Sequence, residues 1–216
     1  MKKTIVSVVV LASLPFYGMT GPYIGIEYGV GSTNHDEQNK FMSSSSNVKL
    51  DPSNEDGILS GFLGYSLNQR WAFELGYSQF ELDDDYSKFV RYDPATYTIT
   101  EEEWDANVKA KQFSLVSVYS HSLNNRWLAK LKAGLTYSQY DISSAHYIEK
   151  ENQLSDIEMI TPISSESSSS SEIGGILSVG MEYLVYSQFY LGANAKYQFD
   201  SWAKTASFNL GSTYYF

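Results

Sequence analysis

The chain has no cysteine in its 216 residues, which excludes a disulfide framework and thiolate metal sites together. It also lacks an apolar run of about 20 residues, the length a helix needs to cross a bilayer, so no spanning helix is expected. Histidine is scarce, with only His35, His121 and His146. None of them has the HxH or HExxH spacing of a zinc site, so His35 and His146 read as solvated loop residues and no metal is expected. Basic residues are outnumbered, 15 against 25 acidic ones, for a net charge of −10. With no basic face, nucleic acid is not a partner. No base, nucleophile and orienting group converge anywhere, so no catalytic residue or cofactor is expected. His121-Ser122 is the nearest approach to such a group, and it lies beside a short turn.

Aromatic residues, by contrast, are abundant: 18 Tyr, 11 Phe and 4 Trp, at a mean hydropathy of −0.29. That combination suits membrane-crossing strands, each apolar on one face only. Residues 1–20 carry Lys2 and Lys3, then a short apolar core over residues 5–14, then Pro15, Gly18 and Thr20. This reads as a secretory signal peptide, because the core is too short to span. Removing it makes the net charge more negative still. Residues 21–216 then form one domain.

The last stretch organises the rest. In A-S-F-N-L-G-S-T-Y-Y-F, Ala206, Phe208, Leu210, Ser212, Tyr214 and Phe216 share one face, and Ser207, Asn209, Gly211, Thr213 and Tyr215 share the other. This is the period-two pattern of a strand with one apolar side. At a sheet edge in water it would be an aggregation hazard, whereas closing a barrel in lipid removes the edge. The ending resembles the C-terminal signature of outer-membrane β-barrels. That resemblance implies that Phe208, Leu210, Tyr214 and Phe216 form a signal read by the barrel-assembly machinery.

Similar alternation runs through residues 22–31, 57–67, 71–80, about 108–121, 127–139, 173–184 and 189–199, which makes eight strands. The turn Ser66-Leu67-Asn68-Gln69-Arg70-Trp71 nearly repeats as Ser122-Leu123-Asn124-Asn125-Arg126-Trp127, each Trp being placed for a membrane interface. Three short turns alternate with the polar stretches 32–56, 81–105 and 141–172 and the short link 200–205. The stretch 141–172, with its serine run, reads as a flexible loop. Short turns in the periplasm and long loops outside are the plan of an outer-membrane barrel, and an even strand count puts both ends in the periplasm. The expected fold is therefore all-β: an eight-stranded antiparallel up-and-down transmembrane barrel with long extracellular loops.

All but three of the 25 acidic residues fall in those four connections. The exceptions, Glu27, Glu74 and Glu182, lie on the non-apolar faces of strands, as do Lys130, Lys132 and Lys196. Unpaired charge inside so narrow a barrel is costly, so the six are expected to pair with one another, with Gln112, Asn194, Gln198 and Asn209 completing a polar filling. Asp83–Asp85 and Glu101–Glu103 read as solvated loop surface rather than cation sites.

Leu63-Gly64-Tyr65-Ser66-Leu67-Asn68, followed by Trp71-Ala72-Phe73-Glu74-Leu75-Gly76-Tyr77, resembles the second hairpin of the OmpA membrane domain. Met181-Glu182-Tyr183 and residues 210–216 resemble its sixth and eighth strands. The resemblance covers most strands and no loop. It implies interior roles for Glu74, Glu182 and Lys132, the last in place of an arginine. The family's strand-four lysine and strand-seven arginine are here Val118 and Asn194, which departs from its gate-like ion-pair switch. With no peptidoglycan-binding segment expected after Phe216, the plan is nearer to the stand-alone OmpX-like barrels, which include colonisation and adhesion factors.

The expected function is thus a non-enzymatic outer-membrane surface protein, displaying acidic loops for adhesion, contact with a host-surface receptor, or envelope stability. The alternative is a narrow channel or carrier for small solutes or ions. Lys109 and Lys111 share the outward face of Phe113 and Leu115. At roughly 3.3 Å per residue on a strand tilted by about 45°, Lys111 lies about 23 Å above His121, near the top of the apolar band. Both lysines are expected to meet the phosphates of outer-leaflet lipopolysaccharide among the membrane lipids.

Overall fold

Every predicted alternating segment becomes a strand: β1 (Gly21–His35), β2 (Ile58–Ser66), β3 (Trp71–Asp93), β4 (Thr98–Ser122), β5 (Trp127–Asn152), β6 (Ile157–Tyr186), β7 (Phe189–Phe199) and β8 (Ala203–Tyr215). In this computed structural model, which describes residues 20–35, 48, 50–54 and 56–216, each strand pairs antiparallel with the next and β8 returns to β1. The closing seam runs from Tyr23↔Tyr215 to His35↔Ala203, so the C-terminal strand leaves no free edge in the bilayer. The signal-peptide segment 1–20 lies outside the described residues, apart from Thr20.

The faces are inverted relative to a water-soluble protein. Ile26, Leu75 and Leu135 are 55%, 63% and 63% exposed, while Glu74 and Asn209 are 3% and 0% exposed. So continuous an apolar exterior requires lipid as its solvent. Aromatic pairs ring its lower rim: Trp71 with Tyr119, Trp127 with Tyr183, and Tyr214 with Phe216. The repeated turn works the same way twice. The Asn68 side-chain oxygen accepts the backbone N–H groups of Arg70 and Trp71, and Asn124 accepts those of Arg126 and Trp127. These Asx turns fix where each Trp re-enters the sheet.

Glycine matters at two inward positions where an aromatic ring crosses the neighbouring strand. A Cβ on Gly64 would fall 2.1 Å from the Tyr23 ring, and one on Gly25 would fall 2.1 Å from the Phe62 ring. The glycines let these rings lie flat and fill the taper of the barrel.

Two expected loops are not loops. Residues 81–105 and 141–172 continue the ladders of β3–β4 and β5–β6 well past the apolar band, to the turns at 94–97 and 153–156. The dense acidic and serine composition hid an alternation that backbone pairing sustains. The result is a four-stranded sheet, β3 to β6, standing above the membrane. Its outer edge on β6 is unpaired over 157–174 among the described residues, since pairing with β7 stops at Gly175↔Phe199. Most of the predicted loop 32–56 lies outside the described residues. Its described parts show β1 continuing to His35, and Ser53 bridging to Asp83. Of the link 200–205 only 200–202 is a tight turn, in which Asp200 accepts the N–H groups of Trp202 and Ala203, and β8 begins at Ala203.

Candidate functional site

The interior is layered. At the periplasmic end Tyr23, Phe62, Ala72 and Val118 cluster with Tyr215. Above them sit the six expected charges, and all of them pair. Lys130 lies 2.7 Å from Glu182. Lys132 lies 2.8 Å from Glu74 and 3.6 Å from Glu27, and Lys196 lies 2.9 Å from Glu27. Three hydroxyls that sequence reasoning did not assign to this network complete it, with the expected amide of Asn194. Tyr23 donates to Glu74 at 2.9 Å, while Thr213 and Tyr215 donate to Glu182 at 2.8 and 3.2 Å. Asn194, standing where the resembling family has arginine, donates to Glu27 at 3.0 Å. Lys132 also lies 4.4 Å from the centroid of the Phe62 ring. Buried charges persist only when paired and hydrogen-bonded to this extent.

Next comes a neutral belt of Ser78, Gln112, Ser138 and Gln198, in which Gln112 donates to Ser138 at 2.9 Å and Gln198 donates to Gln112. The layer above corrects the expectation of a polar filling throughout. Leu50, Ile58, Phe80, Leu82, Trp104, Val108, Tyr140, Ile142 and Trp202 close the extracellular end with an apolar plug. Its signal was present in Trp104, Ala106, Val108 and Ala110, which alternate as the inward face of β4. Inside the barrel, cavities of about 20 and 40 Å³ touch the charge network. That is room for isolated waters but not for a continuous aqueous path.

The histidines of the outer region are buried, not solvated. His35 stacks on Trp202 at 5.1 Å, and His146 stacks on Trp104 at 4.8 Å with its Nε2 2.9 Å from Glu102. Both fall on inward faces of strands that run further than the sequence suggested. His121 is exposed beside its turn. Among the described residues no group of His, Asp and Glu is arranged to hold a metal ion.

The outward face of the projecting sheet is acidic. By register Asp85 stands opposite Asp105, Glu101 opposite Glu149, and Glu151 opposite Glu158. Like charges directly opposed across strands are destabilising. Glu149 is held above the usual carboxylate range by partial burial, then by Glu103, Glu158 and Glu151. The Tyr147 hydroxyl is likewise pushed up, by burial and by its hydrogen bonds to Glu103 and Asp105. Asp83–Asp85 and Glu101–Glu103, expected in loops, therefore lie on strands. At the tip Phe89, Val90, Tyr92, Ile157, Met159, Ile160 and Ile163 are all exposed.

Lys109 and Lys111 point outward as expected, with side chains 57% and 47% exposed. Each has a carboxylate partner: Lys109 lies 3.3 Å from Glu81, and Lys111 lies 3.8 Å from Asp141. Phe208, Leu210, Tyr214 and Phe216 occupy the lipid face together.

No sequence among curated proteins matches the chain. Solved structures show the fold. Neisserial surface protein A superposes with a TM-score of 0.53 at 12% identity, over 91% of this chain and 98% of that one. Ail, the attachment invasion locus protein of Yersinia pestis, in complex with the heparin analogue sucrose octasulfate, superposes with a TM-score of 0.51 at 16% identity, over 92% and 100%. The outer membrane protein beta-barrel domain profile matches residues 4–216. The chain belongs to that family, and its place is the bacterial outer membrane.

Proposed function

We propose that the protein is a non-enzymatic surface protein whose working part is the projecting β3–β6 sheet, displayed for adhesion to a host-surface receptor, and that the barrel serves as its anchor. The observation that carries this reading is the tip. Ile157, Met159, Ile160 and Ile163 are exposed on β6, and Phe89, Val90 and Tyr92 on β3. By strand rise and tilt Ile157 stands about 35 Å above the lipid-facing Ile173. Apolar side chains gathered so far from lipid mark a protein-contact surface. The β6 edge, unpaired among the described residues, supports it, because an open edge offers backbone hydrogen bonds to an incoming strand.

Charge narrows the partner. Ail is seen with a heparin analogue, but here the outer face presents Asp85, Glu101, Glu103, Asp105, Glu149 and Glu151, which repel a polysulfate. By register the carboxylates of β4 and β5 stand between the apolar side chains of β3 and β6, so a partner with a basic centre and apolar flanks fits better. The paired interior and the apolar plug count against the channel reading. A rigid anchor of this kind also serves envelope stability, with assembly through the barrel machinery reading the β8 face.

The test is adherence of bacteria displaying wild type or an Ile157→Ser/Met159→Ser/Ile160→Ser/Ile163→Ser variant to cultured host cells. Loss of adherence at equal surface level is expected. Equal adherence by both would remove the tip from the account.

A further inference from the structure

The two faces of the projecting sheet carry opposite charge. The opposed carboxylates Asp85 and Asp105, and Glu101 and Glu149, stand on the outward face. The basic residues of the sheet above the apolar plug, Lys88, Arg91 and Lys150, all take the inward one. Lys88 and Arg91 are three residues apart, so strict alternation would put them on opposite sides. The bulge at Val90, between Phe89↔Glu101 and Arg91↔Thr100, returns Arg91 to the side of Lys88. Lys88 pairs in register with Glu102 and Lys150 with Thr100, and Thr100, Glu102 and Trp104 alternate along the inward face of β4.

These three cations are unsatisfied. None of them is ion-paired among the described residues, whereas Lys109, Lys111, Lys130, Lys132 and Lys196 each lie beside a carboxylate. Glu102, the one carboxylate in the two rows, is engaged by His146 at 2.9 Å. Arg91, Thr100 and Lys150 lie side by side on β3, β4 and β5. With strands about 4.8 Å apart, the backbones of Arg91 and Lys150 are roughly 10 Å apart, and both side chains can close on a group above Thr100. Lys88 stands one row lower, roughly 7 Å along the strand. Below it on the same face Tyr86 is 46% exposed, with its ring 5.7 Å from that of Trp104. Met159, exposed, completes the upper row beside Lys150. Among the described residues no strand of the opposite wall faces this cradle, because β1 and β8 end their pairing at His35↔Ala203 and β7 stops at Phe199.

We propose that the inward face of the projecting sheet binds a terminal sugar bearing a single carboxylate, of the sialic acid type, at the end of a host-surface glycan. Arg91 takes the carboxylate in a two-pronged hydrogen bond and Lys150 closes on it from the other side. Lys88 and the Thr100 hydroxyl hydrogen-bond sugar oxygens, and Tyr86 and Met159 meet the carbon face of the sugar. Charge selects the class. A polyanion crossing the tip would meet Glu101, Glu103, Glu149 and Glu151 on the far side of the same strands, whereas one negative charge at the end of a neutral chain reaches the cations alone. The inference rests on the reading that this sheet is displayed to a host surface, and it adds a second contact face to the outer one.

The experiment uses the full folded chain in nanodiscs, with saturation-transfer NMR and titration against sialyllactose, lactose and a heparin oligosaccharide. Wild type is compared with Arg91→Gln, Lys150→Gln and Lys109→Gln, each first shown to keep the protease resistance of the folded barrel. Wild type is expected to bind sialyllactose, to ignore lactose, and to bind the heparin oligosaccharide more weakly. Arg91→Gln and Lys150→Gln should each weaken sialyllactose binding about tenfold, the scale of one charge-assisted hydrogen bond. Lys109→Gln, outward and already paired, should change it less than twofold, and added salt should weaken the wild type. Unchanged affinity in Arg91→Gln and Lys150→Gln overturns the proposal, as does equal binding of lactose. Tighter binding of the heparin oligosaccharide than of sialyllactose overturns it too. No cell takes part, so the two readings fail separately. A chain that binds no sialyllactose but still adheres through its apolar tip loses this inference alone. A chain that binds sialyllactose while its four-serine tip variant adheres like wild type loses the tip reading alone.

Discussion

The Lys130 ammonium lies 2.7 Å from a carboxylate oxygen of Glu182, with the two side chains only 4% and 10% exposed. Thr213 and Tyr215 hold that carboxylate from the other side. Glu182→Ala would leave Lys130 charged, buried and uncompensated, and a break of that kind costs about 3–5 kcal/mol. The Lys130→Met/Glu182→Gln double variant removes both charges and should recover most of that loss. Urea unfolding of barrels refolded into vesicles measures all three proteins. A double variant as unstable as the single one would show that the pair is not acting as a pair.

Position on the wall gives the second prediction. Leu131 is 54% exposed on the lipid face, so Leu131→Arg should cost about 2–4 kcal/mol in a bilayer. Ser155→Arg, in the exposed turn at the end of the projecting sheet, should cost almost nothing. Folding yield into vesicles, followed by heat-modifiable gel mobility, separates them.

The closed interior gives the third. With Lys132 and Lys196 tied to Glu27 and Glu74 and the apolar plug above them, wild-type protein in planar bilayers should show no sustained conductance. Steady, large ion currents from pure folded protein would restore the channel reading.

The projecting sheet should respond to pH. Glu149 has a raised folded-state pKa, so the folded hairpin holds its proton more tightly than the unfolded chain does. Its contribution is fully present below the ordinary glutamate range and is lost as pH rises through the raised value. Amide exchange over 145–160, corrected for intrinsic rate, should therefore be slower near pH 5 than near pH 8. Glu149→Gln should flatten the difference. Faster corrected exchange at the acid end would reverse the sign and contradict the account.

How much of this was legible in the sequence depended on which residues carried the alternation. Where large apolar side chains marked one face, as in Trp71, Phe73, Leu75 and Tyr77, the strand and its orientation could be read directly. The six interior charges could be read because each sat on the opposite face of such a strand. The projecting sheet was obscured because its outward positions are carboxylates and serines, whose composition matches a loop. Only cross-strand pairing, such as Ser143↔Ser167 and Asn107↔Ser143, distinguishes the two. His35 and His146 were misplaced for the same reason. Tyr23, Thr213 and Tyr215 were not assigned to the network, since which hydroxyl reaches which carboxylate depends on register across non-adjacent strands.

The most direct test removes the sheet and keeps the barrel. Residues 84–106 and 144–166 would each be replaced by a short turn, joining Asp83 to Asn107 and Ser143 to Ser167, which already face each other across their ladders. Cells displaying this shortened chain are compared with cells displaying the full chain for adherence to host cells, at matched surface level and with the protease resistance of the barrel confirmed. The account predicts adherence reduced to that of cells displaying no barrel. Adherence equal to that of the full chain would place the function in the barrel wall and contradict it.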